Sequence, residues 1–286
     1  MLNAALVLEG GSLRSLYTAG VLDVFLENNI EFSCIIAVSA GSLTAANYIS
    51  KQKLRSAKIN ILHSNKSKYY GVKQFITKRN AFNFDYLFNE PINHIYPYDE
   101  NTLLGSKQRF IITATDCKTG NPIYFENKNN YKDLTHALKA SSSIPFLADV
   151  VNINGFECLD GGITDPIGLY KAQKEKFDKI VVVLTREKGF RKKIKSNFLT
   201  RYAKLKYKNY PNLINKISKM SEIYNLVKED VEKLEDENKI YVIQPKHSVN
   251  VSRMEKNARK LVELYFDGRD DANDSLAKML EYLQII

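Results

Sequence analysis

Ala4-Ala5-Leu6-Val7-Leu8-Glu9-Gly10-Gly11-Ser12-Leu13-Arg14 is the stretch that decides the fold, because an apolar run of strand length breaks into a glycine pair and gives way to a helical pattern. Such a run bounded by glycine reads as a buried strand. Residues 16–27, apolar at 16, 20/21 and 24/25, read as the helix that follows. The pattern then repeats. Residues 33–38 form a second apolar run, closed by Ala37-Val38-Ser39-Ala40-Gly41 and followed by a small-residue helix over 41–49. Strand, loop, helix, strand, tight turn, helix is the order of an α/β protein.

Outward from there, residues 110–115 and 123–126 flank the turn-rich 116–122 and predict a hairpin. A helix is expected over 131–140, a short strand over 156–159, a buried parallel strand over 180–184 and a last strand over 240–244. Helical patterns follow at 213–234, 253–266 and 271–283. Residues 51–107, rich in Lys, Asn and aromatics, lack a clear period and read as a helical or loop insertion covering one edge of the sheet.

The chain has 286 residues, 44% hydrophobic and 26% charged, with a net charge of +10. That charge is local. Between Arg186 and Lys219 lie 12 basic residues and one acid, Glu187, so the remainder is nearly neutral. Phe190, Phe198, Leu199, Tyr202, Leu205, Tyr207, Tyr210 and Leu213 interleave with those charges. The segment reads either as a solvated surface helix pair or as an interfacial surface for an anionic membrane. Nucleic acid is not expected, since no recognition motif accompanies the charge.

Cys34, Cys117 and Cys158 are too few and too dispersed for a disulfide framework, and no C-x-x-C pair offers a zinc or redox site. A reducing, cytoplasmic setting fits, with peripheral membrane contact open. Neither a signal peptide nor a spanning helix is expected at the N-terminus, where Glu9 stops the apolar stretch. Four scattered histidines, His63, His94, His136 and His247, leave little for a metal cluster, and no metal or cofactor is expected.

Three short constellations carry chemistry. Gly10-Gly11 lets the backbone turn sharply and aim N–H groups into the mouth of the sheet, where a helix N-terminus adds its positive end. An unliganded tight turn is the other reading, and the G-x-G-x-x-G dinucleotide pattern is not met. Ala37-x-Ser39-x-Gly41 is a variant of the G-x-S-x-G elbow, which holds a serine oxygen up at the carboxyl edge of a sheet. Ser39 as a plain helix N-cap is its alternative. Asp160-Gly161-Gly162 ends a short strand and can point a carboxylate into a cleft, or can be a simple Asp-Gly turn.

Together these resemble the patatin-like phospholipase family. Tyr17-Thr18-Ala19-Gly20-Val21-Leu22-Asp23, Ala140-Ser141-Ser142-Ser143-Ile144-Pro145-Phe146 and Asp160-Gly161-Gly162-Ile163-Thr164-Asp165-Pro166 are further matching phrases. The resemblance covers most of residues 4–185 and implies a doubly wound α/β fold, a mostly parallel sheet sandwiched by helices. The expected organisation is a catalytic core over 4–185 and a basic, helical part over 186–286 packed on the same domain. Acyl ester bonds of (lyso)phospholipids or related lipids are the implied substrates. By the same resemblance Ser39 is the nucleophile and Asp160 the base. Gly10, Gly11 and Ser12 are the oxyanion donors, Arg14 is the loop's cation, Ala37 and Gly41 are the elbow's small residues, and Gly161 and Gly162 are supports. A catalytically weak or silent lipid- or partner-binding module on this fold is the competing expectation.

That chemistry makes demands on the residues. A free Asp carboxylate, near pKa 3.9, is a poor base for a hydroxyl, so burial must raise its basicity. A triad through His136 or His247 lacks a strand-end context. Ser12, Ser15 and Ala37 stand where the family usually has Gly, and a left-handed backbone at Ser12 would shift an oxyanion donor.

Overall fold

β1 (Leu2–Leu8) is buried from Ala4 onward, and its side chains part to two sides. Ala4, Leu6 and Leu8 join one hydrophobic cluster and Ala5 and Val7 a second, as a period of two requires. A strand buried on both faces needs cover on both. The computed structural model, which describes residues 1–63, 95–126, 130–193 and 197–285, supplies that cover with helices.

β2 (Phe32–Val38) and β7 (Ile180–Val183) pair in parallel with β1 on either side, β3 (Arg109–Asp116) continues beyond β2, and β8 (Tyr241–Ile243) lies beyond β7. Three antiparallel strands complete the sheet: β4 (Pro122–Glu126) on β3, β6 (Phe156–Asp160) also on β3, and β5 (Val151–Ile153) on β6. The order is β5-β6-β3-β2-β1-β7-β8. The winding therefore reverses between β1 and β7, and a reversal of this kind opens a crevice at the carboxyl ends of the strands.

On the Leu6 and Leu8 face lie α1 (Ser15–Glu27), α2 (Ala40–Ile49), α3 (Arg55–His63), α4 (Glu100–Gly105), α5 (Tyr131–Ser141) and α9 (Ala258–Tyr282). α6 (Leu169–Lys174) and α8 (Pro211–Asp236) cover the Val7 face. α7 (Asn197–Lys206) packs beside α8 through Ala203 and Tyr207. This is the doubly wound, mostly parallel α/β sandwich that the sequence suggested, with a helical C-terminal part.

Details depart from the sequence reading. The patterns at 253–266 and 271–283 meet in one unbroken helix, α9, which begins only at Ala258, leaving 253–257 as loop, and runs through Gly268. Gly268 is there because α1 crosses so closely: a Cβ on it would lie 2.1 Å from the Tyr17 carbonyl oxygen, and one on Gly20 2.1 Å from that of Tyr265. Tyr17 Oη donates to Asp271 Oδ2 (3.0 Å) and Tyr265 Oη to Asp23 Oδ2 (2.7 Å) across the same seam. β5 and α6, of 3 and 6 residues, are too short to show a period. In the 51–107 stretch, α3 and α4 lie in the helical layer against α1 and α2 rather than over a sheet edge, and 64–94 falls outside the described residues. All three cysteines are free and buried.

Candidate active site

β3 sets the site by sharing one of its edges between two strands. β4 occupies the other edge along Ile111–Thr115, so β2 and β6 must lie end to end on the first. β2 pairs as far as Val38 with Thr113, and β6 takes over at Ala114 with Asp160. The residue after Val38 is Ser39. Two residues 121 positions apart in sequence thereby meet at the carboxyl edge, and Ser39 Oγ donates to Asp160 Oδ2 at 2.6 Å.

Ser39 occupies the strained turn that an elbow requires, with φ 54° and ψ −129°. A non-glycine residue held there costs about 1–3 kcal/mol, which the surroundings must offset. They do so through close packing and specific bonds. A Cβ on Gly41 would lie 2.7 Å from the Glu9 carbonyl oxygen, and one on Gly10 2.9 Å from Ser39 Cβ, so neither position admits a side chain. Ser39 N–H donates to Ser141 Oγ (2.8 Å), whose own hydroxyl donates to the Thr113 carbonyl (2.6 Å). The Ser39 side chain makes no capping bond to α2, which removes the plain N-cap reading.

Asp160 is equally constrained. Its N–H donates to the Ser143 carbonyl (2.9 Å), its carbonyl accepts from Thr115 Oγ1 (2.9 Å), and its Oδ1 accepts from Gly162 N–H (2.8 Å). Gly161 lies against the Thr113 backbone, where a Cβ would come within 2.3 Å of the carbonyl oxygen. Asp165 serves the same loop: its carboxylate accepts from Gly168 N–H and Tyr124 Oη.

The Gly-Gly loop crosses the crevice between β1 and β7. Glu9 Oε2 accepts from Thr185 N–H (2.6 Å) and Thr185 Oγ1 (3.0 Å), tying the ends of the two strands together. Gly10 N–H is occupied by the Pro166 carbonyl at 3.4 Å, whereas Gly11 and Ser12 N–H have no hydrogen-bond partner among the described residues. Ser12 does adopt a left-handed backbone, φ 53°, and its hydroxyl donates to the Arg253 carbonyl (2.8 Å), which anchors the loop. Ser15, at φ −66°, needs no glycine, and Ala37 is an ordinary buried strand residue.

A model of the patatin-like phospholipase family matches residues 6–172, more than half of the chain. The chain belongs to the patatin-like phospholipase family. A second model, of a domain of unknown function (DUF6363), matches residues 210–284. Among curated proteins, the uncharacterized protein YjjU of Escherichia coli strain K12 is 30% identical over 187 residues, which are 63% of this chain and 51% of that protein. The chain thus spans about half the length of the curated relative it matches. Among solved structures, VipD from Legionella pneumophila aligns with a TM-score of 0.48 at 12% identity, covering 96% of this chain and 67% of that one.

The two carboxylates at the mouth of this sheet have different surroundings. Burial pushes the Asp160 carboxyl above its usual range, and the Ser39 hydroxyl, Gly162 N–H, Arg253 and Lys192 pull it only partly back. Glu9 is instead fixed as a strand-end clamp by Thr185. The cleft over Ser39, about 60 Å³, lies between Ile144, Pro145 and Met220 on the apolar side and Arg14, Lys192 and Arg253 on the other. A larger cavity, about 460 Å³, lies under the 245–251 loop against α9 and contains none of the candidate residues. His247 lines that cavity and His136 sits on α5, so neither reaches the Ser39 cleft. Among the described residues no cluster of His, Cys, Asp or Glu is arranged to hold a metal ion.

Sequence placed none of Ser141, Met220, Lys192 and Arg253 at the cleft. Ser141 lies inside a phrase that resembles the family, and Lys192 is one cation of the basic segment, but nothing marks Met220 or Arg253.

Proposed function

We propose that this patatin-like protein is a serine acyl hydrolase that cleaves acyl esters of (lyso)phospholipids or related lipids through a Ser39–Asp160 dyad. The observation carrying this reading is the 2.6 Å hydrogen bond from a strained serine to a buried, basic carboxylate beside two unoccupied N–H donors. Ser39 Oγ attacks the ester carbonyl carbon and its proton passes to Asp160. Negative charge on the carbonyl oxygen is met by Gly11 and Ser12 N–H, with α1 and the Arg14 guanidinium behind them. Collapse breaks the ester C–O bond, and the alcohol departs with the proton from Asp160. Water then gives its proton to Asp160 and attacks the Ser39 ester, which releases the fatty acid and restores the hydroxyl.

The basic segment supports delivery to lipid. Two cations of its first part are paired on α8: Lys188 with Glu235 and Asp236, and Arg191 with Glu232 and Glu229. The second part is different. Arg201, Lys204, Lys206 and Lys208 make no ion pair among the described residues, and Leu205 between them is 78% exposed. Beneath, the Tyr202 and Tyr207 rings pack at a tilt against Phe146, next to the Ile144-Pro145 wall of the cleft. Near an anionic surface each such cation contributes about 1 kcal/mol, so α7 would hold the cleft at a membrane. No described helix is long and apolar enough to cross one.

A fluorophosphonate probe tests the dyad. Labelling of the native chain and its loss in Ser39→Ala is expected, together with hydrolysis of short p-nitrophenyl esters. A chain that neither labels nor hydrolyses would be the silent binding module.

A further inference from the structure

One buried charge has no part in the acyl chemistry. Lys228 of α8 is wholly enclosed, 0% exposed, and an ammonium so placed must be matched by charge and hydrogen bonds from its surroundings. Its Nζ donates to Gln244 Oε1 (2.7 Å) and lies 3.7 Å from Glu232 Oε1. Glu232 is largely spent, because it accepts from Gly189 N–H and from two guanidinium nitrogens of Arg191. A second carboxylate lies at the sheet edge. Leu8, Val183 and Ile243 stand in register across β1, β7 and β8, and Glu9, Thr185 and Gln244 lie just beyond them. Ala5 and Val7 pack in the cluster that holds Val227 and Val231 of α8, and Glu9 is next in that alternation, so its carboxylate turns toward the helix that carries Lys228. Glu9 is 2% exposed, and its Oε2 accepts from Thr185 N–H and Oγ1. Burial pushes the Lys228 pKa down, and among the carboxylates that oppose this Glu9 acts most strongly, ahead of Glu232 and Glu235.

Glu9 leads directly into Gly10-Gly11-Ser12, and its carbonyl oxygen is the atom against which Gly41 of the elbow packs. Arg14 also attracts Glu9, but it belongs to the loop that has to be held. Lys228 comes from outside that loop. We propose that Lys228 is a positioning residue: held by Gln244, its ammonium balances the Glu9 carboxylate at the ends of β1, β7 and β8 and thereby fixes the Gly11 and Ser12 N–H groups where they meet the oxyanion. The inference rests on reading Ser39 and Asp160 as the dyad with those donors beside it. It gives the 210–284 region, which carries both Lys228 and Gln244, a part in holding the site. One oxyanion donor is worth about 10²–10³ in kcat, so a loop displaced in part is expected to lose about tenfold or more.

The test uses Lys228→Met, which keeps the length of the side chain and removes its charge from beside Glu9, and Glu9→Gln/Lys228→Met, in which neither charge remains and the amide oxygen still accepts from Thr185. On p-nitrophenyl butyrate Lys228→Met is expected to lose kcat about tenfold or more with KM little changed, and the double variant to recover most of that loss. A lysine that only fills space would give no recovery, since both variants carry the same Met. Native kcat in Lys228→Met, or a double variant no better than the single one, overturns the proposal. Where Lys228→Met does not fold, a folded double variant reports the same dependence and an unfolded one overturns it. Deuterium exchange of the peptide over residues 9–14 is read apart from activity. Faster exchange in Lys228→Met, reversed in the double variant, sustains the hold of Lys228 on the loop even if no ester is cleaved, and unchanged exchange overturns it. Absence of both hydrolysis and fluorophosphonate labelling in the native protein, by contrast, overturns the dyad alone.

Discussion

Ser39 and Asp160 meet because they terminate two strands, β2 and β6, that share one edge of β3 end to end. Their 2.6 Å contact is therefore built into the sheet rather than into a flexible loop. Rigid placement of this sort allows a carboxylate to act directly on a hydroxyl without an intervening imidazole.

Activity should rise with pH along a limb set by Asp160. Its carboxyl is held above the ordinary value by burial, and only the ionised form accepts the Ser39 proton. The midpoint of kcat/KM against pH, measured on p-nitrophenyl butyrate, is expected well above about 3.9. Asp160→Asn should lower kcat by about 10²–10⁴ and remove the limb. A limb at the ordinary carboxylate value would reject Asp160 as the base.

The same group should cost stability at neutral pH. A raised folded pKa means the native state binds more protons than the unfolded one, so its stabilising contribution is full below the unfolded pKa and is lost as pH rises through the folded pKa. Asp160→Asn should accordingly melt higher than the native chain at pH 7, and the gap should close as pH falls toward about 4. Thermal melts across that range check it. A variant that melts lower at pH 7 would count against the burial argument.

Ser141→Ala removes the bridge between Ser39 N–H and the Thr113 carbonyl. Leaving two buried backbone groups unpaired should cost about 1–3 kcal/mol by urea unfolding. Because the elbow relaxes, kcat should fall more than KM rises. Unchanged kcat would separate Ser141 from the geometry of Ser39.

Vesicle sedimentation reports on α7. Binding to phosphatidylglycerol vesicles should exceed binding to phosphatidylcholine, weaken with salt, and drop in Leu205→Asp and in Lys204→Glu/Lys208→Glu. Equal partitioning to both vesicles would remove the membrane role.

Much of the frame was legible because the signals are local. The period-two burial of β1, the Gly-Gly break at 10–11 and the small residues around Ser39 each reflect a few neighbouring residues obeying backbone geometry. Short β5 and α6 gave no period to detect. α9 runs unbroken through Gly268 because α1 crosses so closely there that only a glycine fits. The placement of Lys192 and Arg253 at the Ser39 cleft was not legible: Lys192 stood only as one cation of the basic segment, and nothing around Arg253 marks it.

The sequence by itself determined the α/β order and the two strand-to-helix turns at Gly10-Gly11 and Ser39, because propensity and turn geometry act over a few residues. Only the tertiary structure decided that Ser39 faces Asp160 rather than capping α2. It also decided that Gly10 N–H is occupied while Gly11 and Ser12 N–H are not, and that Lys188 and Arg191 of the basic segment pair with carboxylates of α8. Those outcomes depend on strand pairing and packing between residues tens to hundreds of positions apart, which no local pattern encodes.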